Sequence, residues 1–482
     1  MSGLQSIPPE LIEAVCLQLD SLSISRFTQV SRQFWCIFRQ SSALQYKVQL
    51  DLAGLRDVKS GEMVSAARLD LLKVYQAAWA NIDCTRTTKI TADMSGDSWE
   101  LVGNVLSTYN AEAGFIFNGI PSAVRKVPHL KWSLPEVPFA VKDFTTDLSQ
   151  DILLAVEVNS SVMVVHLFSL TTGLPHPLAR NSHLSRDFDE QSGPPLLSCH
   201  FQIRIFGEYI GVMIESFEVE ETRLLVWEWK SGVMKKHLYS DDMTSFAFLD
   251  EHLLLISAWN EFEPVLRILE IEGPVESSAL SYFTFGLPHL SANVMDSHDI
   301  DMQIQTEPSP SWASDSFLDV PFTTRHLDRL FVVSFGTWEP NRETHPSFLL
   351  CVRLSTLLNL RGNSPVDKLP WDQWGPCNTR MLRLPGLPDP WVCFVHGLRM
   401  VILIAPSRCQ ILDFNPLSIG GKRILHEKAV DSRSRVFEQP PTTSAPFTVF
   451  SVETSPCKAV MLAEDGIITV SPDENFFTIY SV

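Results

Sequence analysis

The chain has 482 residues, of which 45% are hydrophobic and 20% are charged, enough apolar residues to bury a large core in two or three domains. Lys and Arg number 38 against 56 Asp and Glu, which gives a formal net charge of −18. Because this charge repels phosphate groups, the composition argues against nucleic acid and anionic membrane surfaces as partners.

The cysteines and the hydropathy pattern bear on the cellular compartment. Nine cysteines are scattered along the chain and none belongs to a Cys-x-x-Cys pair, a usage typical of reduced intracellular thiols. The first residues do not follow the pattern of a secretory signal, and the most apolar stretch, 391–404, is interrupted by His396 and Arg399. We therefore predict a cytoplasmic or nuclear protein without a membrane span.

The first predicted elements are three short helices within residues 8–50. Pro8 and Pro9 suit a helix start, where the proline nitrogen has no partner to lose, and Asp20 with Ser21 separates the first two helices. Large apolar residues recur at helical spacing. In chain order they are Leu11, Ile12, Val15, Leu19, Ile24, Phe27, Val30, Phe34, Trp35, Ile37 and Phe38. So small a unit cannot bury them all, which predicts that a partner surface covers some of them.

A fourth helical pattern follows over residues 63–82, with Ser65 as its candidate N-cap. One stripe of this helix carries Leu69, Leu72, Gln76 and Trp79. We interpret residues 51–95 as a helical connector that packs on the domain after it.

Residues 96–482 change in character, since β-branched and aromatic runs alternate with turns rich in Gly, Pro, Asp, Asn and Ser. Pairs of apolar runs recur at irregular intervals, which predicts an all-β domain folded as a propeller of six or seven blades. We expect the final strand, 476–482, to close the ring. The predicted insertions are 174–195, 291–324, 361–378 and 431–446. A pair of β-sandwiches or an irregular β scaffold is the alternative. The predicted fold is thus α+β and mainly β.

The N-terminal unit matches a known pattern by register. Residues 7–12, Ile-Pro-Pro-Glu-Leu-Ile, fill a Leu-Pro-x-Glu-Leu-Leu pattern, and residues 30–34, Val-Ser-Arg-Gln-Phe, fill a Val-Cys-x-x-Trp/Phe pattern without a gap between them. The unit therefore resembles the F-box family, and the whole chain looks like the large F-box family of mushroom-forming fungi. Ser21, Leu22 and Ser23 replace the usual proline and acid, and Ser31 replaces cysteine, which we expect to weaken helix capping.

The resemblance implies a function for residues 1–50 as an F-box that binds the Skp adaptor and, through it, a cullin. The residues implied in adaptor binding are Pro8, Pro9, Leu11, Ile12, Val15, Leu19, Ile24, Phe27, Val30 and Phe34. Residues 96–482 would then present a protein target to an SCF-type ubiquitin ligase, and the chain itself would be non-catalytic. Two alternatives remain: an F-box scaffold that acts outside a ligase, and a propeller enzyme. The simplest alternative for the helices is that they fold back onto the β domain.

Motifs for catalysis or cofactors are weak. Gly420-Gly421-Lys422 lacks the other residues of a phosphate loop, and we predict a hairpin turn there. Asp296, His298, Asp299 and Asp301 form the best metal candidate, but their spacing does not fit a calcium loop, so we expect a solvated acidic loop and no metal or cofactor.

A basic patch for phosphorylated targets would require Arg180, Arg204, Arg325, Arg380 and Arg435 to meet. We expect the strand tryptophans to be core residues.

Overall fold

The computed structural model describes most of the chain. The described residues are 7–58, 63–82, 88–93, 98–188, 195–216, 218, 221–260, 263–276, 281–291, 300–307, 320–325, 328–337, 347–384, 393–417, 422–424, 428–429 and 436–482. Helices come first and a ring of β-sheets follows. No helix within these ranges is long and apolar enough to cross a membrane.

The N-terminal helices are α1 (Pro9–Cys16), α2 (Ser21–Val30), α3 (Arg32–Gln40), α4 (Ser42–Ala53) and α5 (Ser65–Ala80). Pro8 precedes α1 as predicted, and the Asp20 carboxylate caps α2 by accepting a 2.8 Å hydrogen bond from the Ser23 amide. Gly54, with a φ of 68°, ends α4 in the left-handed conformation that glycine adopts without strain. The candidate cap at Ser65 is wrong, because Val64 precedes α5 and makes no side-chain cap.

Seven sheets of four or five strands form a seven-bladed propeller, which excludes the β-sandwich alternative. Innermost strand first, blade 1 consists of β3 (Ser98–Val102), β4 (Val105–Asn110), β5 (Gly114–Gly119) and β6 (Leu130–Leu134), and blade 2 of β7 (Val141–Asp147), β8 (Ile152–Val158), β9 (Val162–Ser169) and β10 (His183–Asp187). Blade 3 consists of β11 (His200–Phe206), β12 (Tyr209–Ser216), β13 (Glu221–Glu228) and β14 (Val233–Ser240). Each of these three blades is an antiparallel meander whose inner strand comes first in sequence.

Blades 4 to 7 follow the same plan with additions. Blade 4 consists of β15 (Met243–Phe248), β16 (Leu253–Asn260), β17 (Glu263–Glu270), β18 (Phe283–Gly286) and β23 (Lys368–Leu369), and blade 5 of β19 (Ile300–Gln305), β21 (Leu330–Thr337), β22 (Ser347–Arg353) and β24 (Thr379–Leu384). Blade 6 consists of β25 (Val395–His396), β26 (Arg399–Ala405), β27 (Arg408–Asp413), β31 (Phe447–Glu453) and β28 (Lys422–Ile424). Blade 7 consists of β32 (Ala459–Ala463), β33 (Gly466–Val470), β34 (Phe476–Ser481) and β2 (Thr88–Asp93). Two small sheets pair β1 (Leu55–Asp57) with β20 (Phe322–Thr324) and β29 (Lys428–Ala429) with β30 (Thr442–Thr443).

The ring closes as predicted, because the last strand, β34, pairs with the early strand β2 from Thr88 opposite Ser481 to Asp93 opposite Phe476. Strand β2 is therefore the outer strand of blade 7, although it lies in the segment that we interpreted as the connector. Closure of this kind joins an early strand and the last strand of the chain in one blade and so completes the ring.

All four predicted insertions contain regular structure. Segment 174–195 contains β10, the outer strand of blade 2, and segment 361–378 contains the end of helix α6 (Leu354–Asn363) and helix α7 (Trp371–Asn378). Segment 291–324 supplies β19 and β20, and the described part of 431–446 includes β30. The partial unit predicted at 99–120 is a complete blade that extends to Leu134.

The turns that follow the inner strands lie on one face of the ring, which we call the module face. Asn104, after β3, donates a 2.6 Å hydrogen bond to Asp465, after β32. The amide of Gly397, after β25, donates to the Glu307 carbonyl at 2.7 Å. Helices α4 and α5 pack against this face, and their buried residues join the core of the propeller.

Candidate functional site

Helices α1 to α3 form a small core of their own with the start of α4. Its buried residues are Ile12, Cys16, Ile24, Phe34, Ile37 and Leu44. The rings of Phe27 and Phe34 stack at 4.0 Å between centroids, which joins α2 to α3. The unit has a core because α4, which the sequence pattern did not separate from its neighbours, completes it, but it does not bury all of its apolar residues, as predicted.

The ten residues predicted to bind an adaptor divide by exposure. Ile12, Ile24 and Phe34 are buried in the helical core, and Leu19 and Phe27 are half-buried against it. The other five, Pro8, Pro9, Leu11, Val15 and Val30, are exposed. We define Leu11, Val15 and Val30 as the candidate face, since their side chains are 58%, 61% and 72% exposed. Three such residues on a module that already has a core are available for a partner.

Two more large apolar side chains are exposed on the same helices and were not among the predicted residues. Leu22, at the start of α2, is 60% exposed, and Trp35, on α3, is 48% exposed with the Arg39 guanidinium 5.0 Å from its ring centroid. Leu22 belongs to the Ser-Leu-Ser segment that departs from the family pattern. An apolar residue in place of an expected polar one was the signal that could have identified it.

The departures from the family pattern do not remove the caps. Ser31 accepts a 3.3 Å hydrogen bond from the Phe34 amide and so caps α3, and Asp20 performs the same role for α2. The expectation that these substitutions weaken capping is therefore wrong.

Hydrogen bonds hold α1 and α2 against α4. Ser41 donates from its hydroxyl to the Glu13 carboxylate at 2.6 Å, and the Lys47 ammonium donates to the Leu17 carbonyl at 2.6 Å. The Ser21 hydroxyl donates to Asp51, whose carboxylate also pairs with Arg325 of the propeller. Polar contacts from Ser21 through Asp51 to Arg325 therefore link helix α2 to the β domain.

Strand β1 and helices α4 and α5 form the joint between the helices and the propeller. Tyr46 on α4 donates a 3.0 Å hydrogen bond to the carbonyl of Pro321, which precedes β20. Arg68 on α5 pairs with Asp57 at 2.8 Å and donates to the Val58 carbonyl at 2.7 Å. The predicted insertion that contains β20 thus binds the chain's own N-terminal region.

A buried ion network lies below this joint. Arg125, in the connection between β5 and β6 of blade 1, pairs with Glu464 at 3.0 Å and with Asp465, and all three side chains are excluded from solvent. Burial acts to raise the pKa of Glu464, but the Arg125 guanidinium together with His396 and the hydrogen bonds from β20 outweighs it, so that pKa is lowered. Tyr75 on α5 donates to the Glu464 carbonyl at 2.6 Å, so the network reaches the helices.

His396 belongs to the same region and is buried without charge. Its Nε2 lies 3.2 Å from the Thr324 hydroxyl on β20. Burial lowers its pKa to about 4, although the nearby Glu464 carboxylate acts in the opposite direction. At neutral pH this histidine is therefore an uncharged part of the joint.

The arginines that a basic patch would require do not meet among the residues that the structure describes. Arg380 is buried and donates to the Ala445 carbonyl, and Arg325 is held by Asp51 at the joint. Arg204 lines the centre of the ring, Arg180 lies on an exposed loop of blade 2, and Arg435 is outside the described residues.

The tryptophan prediction is confirmed for Trp227, Trp229 and Trp374, which are buried in the core. Asp296, His298 and Asp299 fall outside the described residues, as does the side chain of Asp301, and so do Gly420 and Gly421. Among the side chains that the structure describes, no group of three His, Cys, Asp or Glu residues could hold a metal ion.

Comparison with known proteins adds only distant likenesses. No protein-family profile matches the chain, and no curated protein sequence matches it. Similar solved structures include the WD40 domain of SCAP from fission yeast, with 8% identity, a TM-score of 0.33, and coverage of 82% of this chain and 98% of that chain. The Nup133 β-propeller domain of Vanderwaltozyma polyspora has 9% identity, a TM-score of 0.36, and coverage of 82% and 97%.

A third such structure is the WD40 domain of coronin from Toxoplasma gondii, with 8% identity and a TM-score of 0.37 over 82% of this chain and 86% of that chain. At these values the fold assignment depends on the strand pairing described above, which forms seven blades without reference to any relative.

Proposed function

We propose that this chain is a substrate receptor of an SCF-type ubiquitin ligase, in which α1 to α3 bind the Skp adaptor and the propeller holds a protein target. The observation that carries the proposal is the exposure of Leu11, Val15 and Val30 on helices whose internal core is already complete. Exposed apolar residues that are not needed for folding favour a partner surface. The resemblance of the sequence to the F-box pattern favours the Skp adaptor as that partner.

The joint supports this role because it orients the helices relative to the propeller. Pairing of β1 with β20 and the Tyr75 hydrogen bond to Glu464 connect the N-terminal region to two separate parts of the β domain, and the Arg68–Asp57 ion pair holds α5 against β1. A receptor that holds its target at a fixed position raises the effective concentration of target lysines near the conjugating enzyme. The chain would need no catalytic group of its own.

We assign target binding to blades 2 to 4, which the helices leave uncovered. Leu174, Leu178, Val233 and Val275 are exposed in the turns between the third and outer strands of these blades. The turns are neighbours, because the Arg180 amide donates to the Lys230 carbonyl and Lys236 donates to the Pro274 carbonyl. Adjacent exposed apolar residues on rigid turns are a suitable surface for a protein target.

An affinity pulldown of the full tagged chain from cell extract tests the proposal. The test variant carries Leu11→Asp and Val30→Asp, and the matched control carries Leu174→Asp, an equally apolar and exposed position that lies on the propeller. We expect wild type and the control to retain the adaptor and cullin, while the double variant loses both. Capture of the adaptor without cullin would favour a scaffold outside a ligase. Failure of wild type to capture the adaptor would overturn the proposal.

The same experiment separates the two surfaces. We expect the Leu174→Asp control to lose those co-purified proteins that bind as targets, because a charge in the middle of an apolar contact leaves an unpaired carboxylate. We expect the double variant to keep them. If both variants lose the same proteins, targets do not bind the propeller independently of the helices.

A further inference from the structure

Three neighbouring turns carry the residues to which we assigned target binding, and we call these turns the target surface. They are 170–182 in blade 2, 229–233 in blade 3 and the described part, 271–276, of the turn in blade 4. The first turn exposes two leucines, Leu174 and Leu178, and each of the other two exposes one smaller valine. Most of the apolar contact area therefore lies at the blade 2 end.

A buried histidine holds the blade 2 end in place. Nδ1 of His176 accepts a 3.2 Å hydrogen bond from the Leu178 amide, so its Nε2 carries the proton and donates to the Gln150 carbonyl at 3.0 Å. The same ring packs edge-on against Trp229 of blade 3, with 4.8 Å between centroids. Leu174 and Leu178 are thus presented on a turn that is ordered before any partner binds, which lowers the entropic cost of binding.

The turns of blades 3 and 4 present negative charge to solvent. Four carboxylates in or beside these turns contact basic side chains, and in each pair the acid is the more exposed partner, since the acids are 57–69% exposed and the bases 10–37%. The pairs are Glu208 with Lys230, Glu272 with Lys235, Glu276 with His237 and Glu270 with Arg361. A partner that approaches this end therefore meets carboxylates first.

The two ends of the target surface differ in charge as well as in apolar area. Segment 170–182 contains no Asp or Glu, and its exposed charged residue is a base, Arg180. The Arg180 amide donates to the Lys230 carbonyl at 2.8 Å, so the apolar turn lies directly beside the first acidic one. One continuous ligand can reach both ends.

We propose that the target surface recognises an extended protein segment with large apolar side chains at one end and lysines or arginines at the other. This inference rests on the function proposed above and names the class of target. The apolar side chains pack on Leu174 and Leu178, and the basic side chains pair with Glu208, Glu272 and Glu276. Contacts of the exposed acids add specificity and association rate, while the apolar end supplies most of the affinity.

Peptide selection on the full chain tests the proposal. The probe is a phage-displayed library of random peptides, from which phage that bind the Leu174→Asp variant are first removed. We expect the peptides that the wild-type chain then enriches to combine large apolar residues with Lys or Arg, and their affinity to fall as the salt concentration rises. Enrichment of acidic or uncharged peptides, or no enrichment over the variant, would overturn the proposal.

Variants of the acidic end locate the charge contacts. Glu208→Gln with Glu276→Gln should weaken binding of an enriched peptide by ~3–10-fold at low salt and reduce its salt dependence, the scale expected for two exposed ion pairs. The matched control is Glu112→Gln with Glu136→Gln, which removes two exposed acids outside the target surface and should leave the affinity unchanged. Equal effects of the two double variants would contradict recognition by the acidic end.

Leu178→Ala tests the apolar end and should weaken binding by at least ~10-fold through the lost apolar contact. Its control is Leu197→Ala, which removes an equally exposed leucine outside the three turns. Melting temperatures of all variants show that they are folded, and wild-type affinity in Leu178→Ala would overturn the proposal. Peptide binding requires no adaptor, so a failure here leaves adaptor capture by the wild-type chain unaffected, and a failure of adaptor capture leaves the peptide result unaffected.

Discussion

Helices α1 to α3 and helices α4 and α5 differ in what they pack against. The first group, with Leu44 from the start of α4, encloses a core of six buried residues and leaves Leu11, Val15 and Val30 exposed. The second group buries Leu72, Tyr75 and Trp79 in the largest core of the propeller. The comparison shows that the alternative in which the N-terminal helices fold onto the β domain is correct for α4 and α5 only.

The largest effect is expected at the network below the second group. Arg125→Met leaves Glu464 and Asp465 buried without their cation, and we expect a loss of about 3–5 kcal/mol in the free energy of unfolding. The control is Lys458→Met, which removes an exposed pair with Glu474 and should cost only ~0–1 kcal/mol. Urea denaturation measures both, and equal losses would show that the network does not support the joint.

Packing of α5 gives the next effect. Leu72 is fully buried, and Leu72→Ala should cost about 2–5 kcal/mol through lost contacts and a cavity. Val74, two residues later, is 54% exposed, and Val74→Ala should change stability by no more than ~0.5 kcal/mol. Denaturation midpoints of the two variants compare the faces of one helix, and similar values would contradict its docking on the propeller.

The joint also predicts a pH dependence. The pKa of His396 is about 4 in the folded protein and near 6.5 when the chain unfolds, so between these values only the unfolded state binds the proton. The stability that His396 contributes is therefore complete above pH 6.5 and falls as the pH is lowered toward 4, by about 3 kcal/mol in total.

Comparison with His396→Gln isolates this contribution. Burial raises the pKa values of Glu100 and Asp143, so these two groups add stability as the pH falls, opposite to His396. Both groups are present in wild type and in the variant, so their effect cancels when the two stabilities are subtracted. Thermal unfolding from pH 7.5 to 4.5 should show a smaller loss of stability on acidification for the variant. Parallel curves would indicate that His396 is accessible to protons in the folded protein.

The smallest effect is expected in the first group of helices. Ser31→Ala removes the cap of α3 and should cost about 0.5–2 kcal/mol. Ser25, exposed within α2, provides the control, and Ser25→Ala should stay within ~0.5 kcal/mol of wild type. Circular dichroism during denaturation measures both, and a cost for the control that equals that of Ser31→Ala would show that the cap contributes nothing.

The sequence predicted the elements whose apolar pattern is strong. Strands β8, β12 and β13 lie in the middle of their blades, are buried over most of their length, and appear in the sequence as apolar runs. The outer strand β10, with the sequence His-Leu-Ser-Arg-Asp, buries only Leu184 and was interpreted as part of an insertion. Outer strands are half solvated, so their patterns resemble loops.

The candidate face could be predicted only in part. The match to the F-box pattern predicted the ten adaptor-binding residues. Which of these ten are exposed depends on the packing of α1 against α2, α3 and α4. The buried ion network at the joint could not be predicted, because Tyr75, Arg125 and Glu464 are far apart in sequence and come from α5, blade 1 and blade 7. Residues so dispersed leave no local motif.

Amide hydrogen exchange of the full chain, with and without the purified Skp adaptor, tests the central claim most directly. The account predicts that the adaptor slows exchange in α1 to α3 and leaves α5 and the propeller strands unchanged, and that Leu11→Asp with Val30→Asp abolishes the effect. An unchanged exchange pattern, or slowing that is confined to α5 and the propeller, would contradict it.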